Sequence, residues 1–254
     1  MVRTAFKLVF RPTEGLLASV ITPMDLRISL PDHTTIGRRA VTLPLIQAAS
    51  VRHDSLNLLI DSAGVQVYGA SQWLEAKHGA KSRCKWRKLH LAVDAGSGMI
   101  VAQTVTDQDA DDPSQVALLL NQIECRIAPA TADGAYDGAP TYNTTTAHGD
   151  DIEIVIPLRP TSVLRGEQGP LEQRDRHLDM ITENGRLAWQ KATDYGQRSL
   201  VETTMGRYKA LIGPRLRARG FAAPQTEAAI GVAVLNQMLA AGRPDSVRCL
   251  RVIA

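Results

Sequence analysis

From residue 56 the chain changes period, and that change restricts its fold more than any other feature. Leu56-Asn57-Leu58-Leu59-Ile60-Asp61 is a short apolar run that stops on a carboxylate, as a buried strand would. Val65-Gln66-Val67-Tyr68 continues it past Gly64. Leu89-His90-Leu91-Ala92-Val93 alternates, and Asp94-Ala95-Gly96-Ser97-Gly98 turns the chain back into Met99-Ile100-Val101-Ala102-Gln103-Thr104-Val105-Thr106. That pair reads as an antiparallel hairpin. A helix follows, with Pro113 near its first position and the run Val116-Ala117-Leu118-Leu119-Leu120. Ala128-Pro129-Ala130-Thr131-Ala132-Asp133 is a fourth strand, again ending on an aspartate. A helix near residues 140–148 and a fifth strand at Ile152-Glu153-Ile154-Val155-Ile156 come next. Residues 159–186 read as polar and irregular, and helices are expected over 194–212 and 225–240. The order β-β-β-α-β-α-β-α specifies an α/β fold, a mixed sheet with helices on its faces.

The first forty residues are helical in pattern. Thr13 reads as an N-cap before apolar residues at helical spacing, and Asp32 as the cap of a helix that ends in Arg38 and Arg39. Two short helices around a turn admit a helix-turn-helix, or an ordinary helical hairpin. With 254 residues the chain has room for one large domain and a small appendage. Two regions are expected: a partial helical DNA-binding region at 1–52 and an α/β domain at 53–254. No apolar stretch reaches membrane-spanning length, and the first residues lack the apolar core of a signal peptide. Cys84, Cys125 and Cys249 are too scattered for a zinc motif or a disulfide framework, which fits a reducing cytoplasm.

The net charge of +3 conceals a pattern. The balance is +3 over residues 1–60, +3 over 61–94, −9 over 95–153 and +6 over 154–254. Basic flanks suit a polyanionic partner, and the acidic middle suits a site that holds cations beside it; uneven solvated charge is the plainer alternative. Lys77 to Lys88 carries six Lys or Arg and Trp86, fitting a DNA backbone or a lysine-protected hairpin edge.

Asp61 and Asp133 are costly beside apolar runs unless a metal ion, a basic side chain or a turn hydrogen bond compensates them. On a helix beginning near 195, Tyr195, Glu202 and Lys209 fall within about 60° of Arg198, while Leu200, Val201, Tyr208, Leu211 and Ile212 face the core. The stripe is either a solvated face with an i,i+4 pair or a carboxylate that completes a metal site among phosphate-holding cations. Residues 107–112 fail the calcium-loop pattern, with Asp112 and Leu118 where Gly and Glu belong; their acids favour the helix that follows. Asp137 reads as the cap of the helix containing Pro140, with a ligand role kept as an alternative to Asp133.

Asp61-Ser62-Ala63-Gly64, then Trp86-Arg87-Lys88-Leu89-His90-Leu91-Ala92-Val93-Asp94, then Thr131-Ala132-Asp133-Gly134-Ala135-Tyr136-Asp137-Gly138 resemble bacterial insertion-sequence transposases of the IS-five type, within the wider DDE class. The spacing of Tyr195, Arg198, Glu202 and Lys209 resembles that group's Y-(2)-R-(3)-E-(6)-K signature, and the resemblance covers residues 11–247. It implies an RNase H-like fold with Asp61, Asp133 and Glu202 as catalytic residues and as ligands of two Mg²⁺ ions, which Mn²⁺ can replace. Two such ions about 3.5–4 Å apart activate an attacking oxygen and stabilise a leaving one. The resemblance further implies that Arg198 and Lys209 hold phosphates with Tyr195 beside them. Lys81, Arg83, Lys85, Arg87 and Lys88 would track the DNA backbone. The partners implied are the element's terminal inverted repeats and target DNA, with a homodimer on DNA, no membrane and no small-molecule substrate. The location implied is the bacterial cytoplasm, at the nucleoid. Two departures stand out: Ala63 replaces the group's usual Thr, and the N-terminal helical region is short, as in a truncated copy. A catalytically silent, truncated protein that binds DNA or a full-length partner is the alternative, and a general metal-dependent nuclease a third reading.

Overall fold

The chain is described here from a computed structural model over residues 1–42, 55–67, 86–158, 162–164, 169–217 and 222–242. The N-terminal segment is helical, as its spacing predicts: α1 (Val2–Ala5), α2 (Phe10–Ile21) and α3 (His33–Thr42). Thr13 is not a cap. Helix α2 begins three residues earlier, and the buried Thr13 hydroxyl donates to the Val9 carbonyl at 2.9 Å. Asp32 does cap α3, accepting from the Thr35 amide at 2.6 Å and the Thr34 hydroxyl at 2.8 Å. Those donors, the Thr35 amide foremost, hold its carboxyl down at about 2. These helices dock on the rest of the fold. Arg217 donates to the Lys7 and Leu8 carbonyls at 3.2 and 3.3 Å, and Lys7 donates to the Ala210 carbonyl at 3.3 Å.

The sheet starts as the expected meander. Strands β1 (Leu56–Val67), β2 (Trp86–Asp94) and β3 (Ile100–Asp107) pair antiparallel in sequence. A three-ten turn at Pro113–Gln115 and α4 (Val116–Leu120) lead to β4 (Ile127–Thr131), which lies parallel to β1. Helix α5 (Ala139–His148) leads to β5 (Ile154–Val155), parallel to β4. The spatial order is β3-β2-β1-β4-β5, the mixed sheet of an RNase H-like fold.

Alternation along β1 divides the core. Leu56, Leu58 and Ile60 pack with Val116, Leu119, Leu120 and Tyr142 on the α4–α5 face. Leu59 and Val65 pack with Val201, Met205 and Tyr208 on the other. Asp61 shares the parity of Leu59 and Val65, and Ser62 that of Leu58 and Ile60.

Two regions differ from their sequence reading. The polar stretch before residue 186 contains a helix, α6 (Glu172–Asn184), followed by α7 (Arg186–Ala192). Its buried residues are Arg174, His177 and Trp189, so no apolar stripe marks it in the sequence. The segment 194–212 is not one regular helix. It comprises a three-ten turn at Tyr195–Arg198, α8 (Ser199–Arg207) and a π turn at Tyr208–Ile212. Beyond it, β6 (Arg215–Leu216) pairs parallel with Gln66 and Val67, and α9 (Ala222–Ala241) packs on the α8 face.

Candidate active site

Register puts the two aspartates side by side. Leu59 of β1 is paired with Thr131 of β4, and each aspartate follows its paired residue by two positions. On that side of β1, β4 pairing ends at Leu59 and β6 pairing begins at Gln66. Asp61 therefore lies in a gap between strands, at the carboxyl ends of the parallel pair, where open α/β sheets place their sites. Asp133 leaves the sheet there and caps the short turn Gly134–Tyr136, its Oδ1 accepting from the Ala135 amide at 2.8 Å.

Helix α8 supplies the third carboxylate. Val201, Met205 and the following Tyr208 are buried against β1 and β2, which turns Glu202 outward. Arg198, one turn earlier, is the hub. Its Nη1 donates to Glu202 Oε1 at 2.6 Å, and its Nη2 stands 3.5 Å from both Asp61 Oδ2 and Asp133 Oδ2. Three carboxylates separated by 72 and 69 residues in sequence thus converge on one guanidinium. The Arg198 Nε–H is buried and donates to no acceptor among the described residues.

Charge at this centre is unbalanced. Burial raises the Asp61 carboxyl above the usual carboxylate range, and the nearby Asp133 and Glu202 push it further. The Ser62 amide, which donates to Asp61 Oδ1 at 2.8 Å, and Arg198 oppose that rise. For Arg198, burial works against the charge, but Asp61, Tyr195, Glu202 and Asp133 together hold its pKa above the ordinary value.

The opposite face of β1 carries a polar network that sequence reading misses. Asp112 does not cap the turn that follows it. Its carboxylate accepts from the Ser62 hydroxyl and from Lys88 Nζ, each at 3.1 Å, and Lys88 also donates to the Ala110 carbonyl at 2.8 Å. His90 is fully buried beside this group. Its Nε2 lies 2.9 Å from the Thr106 hydroxyl, and burial depresses its pKa to about 4. A loop acid has no periodicity to reveal such a role; the even parity of Ser62 was the one available signal.

Asp137 is not a helix cap. Arg174 grips it with two bonds, Nε to Oδ1 at 2.9 Å and Nη2 to Oδ2 at 3.3 Å, with both side chains more than nine-tenths buried. Asp133, not Asp137, is the aspartate beside Arg198.

Tyr195 packs on Trp189 with ring centroids 5.3 Å apart, and the Trp189 indole donates to His177 Nδ1 at 2.9 Å. Lys209 lies past the end of α8, half-buried in the π turn. Arg87 is ion-paired with Asp107, and Lys88 with Asp112. Lys81, Arg83 and Lys85 lie outside the described residues.

The donor chemistry fits a hard divalent cation, because all three converging groups are carboxylates. As arranged around Arg198, they form no group of three able to hold an ion, and no other such group occurs among the described residues. No described helix is long and apolar enough to cross a membrane.

A family model described as a transposase DDE domain matches residues 52–237, and a second model of the same description matches residues 1–70. Among solved structures, the chain is similar to the piggyBac transposase in a synaptic complex with hairpin DNA, at 12% identity and a TM-score of 0.45. That match covers 73% of this chain and 46% of the other, so the chain spans less than half of the transposase it matches. With the family model spanning most of its length, the chain belongs to the transposase DDE domain family.

Proposed function

We propose that this chain is a DNA transposase of the insertion-sequence IS-five type, which cuts a DNA strand and joins the freed end to target DNA. The observation that carries the reading is the convergence of Asp61, Asp133 and Glu202 on one centre, 3.5, 3.5 and 2.6 Å from the Arg198 guanidinium.

In this reading the three carboxylates hold two Mg²⁺ ions, or Mn²⁺ in their place. When bound, such ions polarise the scissile phosphate and lower the pKa of an attacking water or 3′-hydroxyl. The chain's own residues set the geometry. β1 and β4 present two carboxylates in register, and α8 closes the third over them. Arg198 and Lys209 bind phosphate oxygens, Arg198 with a planar fork suited to paired contacts. Tyr195, braced by Trp189, fixes the turn that carries Arg198. Lys81, Arg83 and Lys85 contact the DNA backbone, and Arg87 and Lys88 join them by exchanging carboxylate partners for phosphates. The partners are the element's terminal inverted repeats and target DNA, bound by a homodimer in the bacterial cytoplasm.

The test is cleavage of a duplex bearing the terminal repeats, with Mg²⁺ or Mn²⁺. Glu202→Gln should abolish cutting and spare DNA binding. A variant that cuts as well as the parent chain overturns the reading.

A further inference from the structure

Arg198 does more in this structure than a phosphate-binding residue needs to do. It is the cation that three carboxylates share: one positive charge among three negative ones, with Nη1 and Nη2 both turned to carboxylates. Its side chain is 18% exposed and that of Asp61 14%, so solvent screens that contact weakly, whereas Glu202 is 56% exposed. Yet the arrangement is incomplete. The Nε–H is buried with no acceptor among the described residues, an expensive state for a charged donor. With the guanidinium among them, the three carboxylates form no group able to hold an ion.

We propose that Arg198 is a built-in counterion, which yields the carboxylates to divalent ions and then takes a DNA phosphate. The inference rests on the proposed function and adds an order of events to it. While Arg198 occupies the centre, it neutralises part of the charge that β1, β4 and α8 bring together. Entry of divalent ions requires it to swing out. Once out, its whole fork, Nε–H included, is available for phosphate oxygens. Metal and DNA therefore bind with positive coupling, and by linkage each tightens the other to the same degree. The protein alone is kept from holding a loaded metal site in the absence of its nucleic-acid substrate.

Two binding measurements on the full chain test this. The first is Mn²⁺ affinity without DNA, followed by electron paramagnetic resonance. Arg198→Ala removes the competitor and should bind Mn²⁺ about tenfold tighter, the worth of one charged hydrogen bond. Arg198→Lys keeps the charge but not the fork, and should fall between. Equal or weaker Mn²⁺ binding by Arg198→Ala overturns the proposal. Should that variant fail to fold by circular dichroism, Arg198→Lys decides by the same rule. The second measurement is fluorescence anisotropy of a labelled duplex with and without Mn²⁺. The ion should tighten DNA binding by the parent chain, and that gain should shrink in Arg198→Ala to what the ions' own contact with phosphate supplies; a gain of the same size in the variant overturns the coupling. Glu202→Gln separates the two levels of inference. If it leaves Mn²⁺ affinity unchanged, the metal site itself is wrong. If it weakens binding while Arg198→Ala matches the parent, the site stands and the counterion exchange falls.

Discussion

Arg174 and Arg198 each hold carboxylates within the fold, with opposite stoichiometry. Arg174 meets Asp137 one to one, by two hydrogen bonds, with both side chains nearly excluded from water. It also accepts no second burden beyond a 3.7 Å approach to Asp175 and donates its Nη1 to the Val163 carbonyl. Arg198 serves three carboxylates, and its Nε–H has no acceptor among the described residues. The first arrangement is closed: each of the three guanidinium nitrogens has its acceptor. The second is open: negative charge is in excess, and a donor waits. A fold tolerates the open arrangement where function uses it, and needs the closed one where a loop must be pinned.

This contrast can be broken most decisively at Asp137. Asp137→Ala strands a buried guanidinium, and denaturant unfolding should show a loss of about 3–5 kcal/mol. A loss below about 1 kcal/mol would mean that the pair is not a structural pin.

The next largest effect is in pH. His90 is neutral in the fold, with a pKa depressed from 6.5 to about 4, so the unfolded chain binds the proton first. Its contribution is present above pH 6.5 and is lost as pH falls toward about 4, by about 3 kcal/mol at most. Asp61 has the opposite sign. Its pKa is raised, so protonation favours the fold as pH falls through that value. Thermal unfolding of His90→Gln against the parent between pH 7 and 4 should isolate the histidine slope; parallel curves would refute the assignment.

Trp189→Phe should cost about 2 kcal/mol, from the lost indole bond to His177 and the smaller ring, and should weaken the support of Tyr195. Calorimetry measures the loss. An unchanged unfolding temperature would detach the α6–α7 hairpin from the site.

The smallest effect has the most telling sign. Asp61→Asn removes one of three crowded charges and should stabilise the metal-free protein slightly, while abolishing cleavage. Destabilisation without metal would show that Arg198 fully satisfies the cluster, and the contrast with Asp137 would disappear.

Much of this was legible in the residues. The apolar run ending at Asp133 marks a strand end, but Asp61, read the same way, lies inside β1, still paired with Leu91 of β2, and only the pairing with β4 stops before it. The four-residue spacing of Arg198 and Glu202 predicts their pairing on any helical turn, and the pair forms. The hairpin after His90 announces itself by alternation and a Gly-rich turn. The helices at 172–192 were not legible, since their buried residues are Arg174, His177 and Trp189, and burial secured by polar pairing leaves no hydrophobic period. Nor was Asp112, whose partners Ser62 and Lys88 lie 50 and 24 residues away on neighbouring strands.

The sequence by itself determined the order of strands and helices along the chain, Asp133 just past the end of its strand and the pairing of Arg198 with Glu202, because these follow from local period and spacing. Only the tertiary structure decided that one guanidinium would hold all three acids, and that Asp137 would be spent on Arg174. Local pattern specifies which face a side chain takes. Which further charges it meets there depends on register between strands and on the seating of α8, and no short stretch of sequence contains Arg198 together with Asp61 and Asp133.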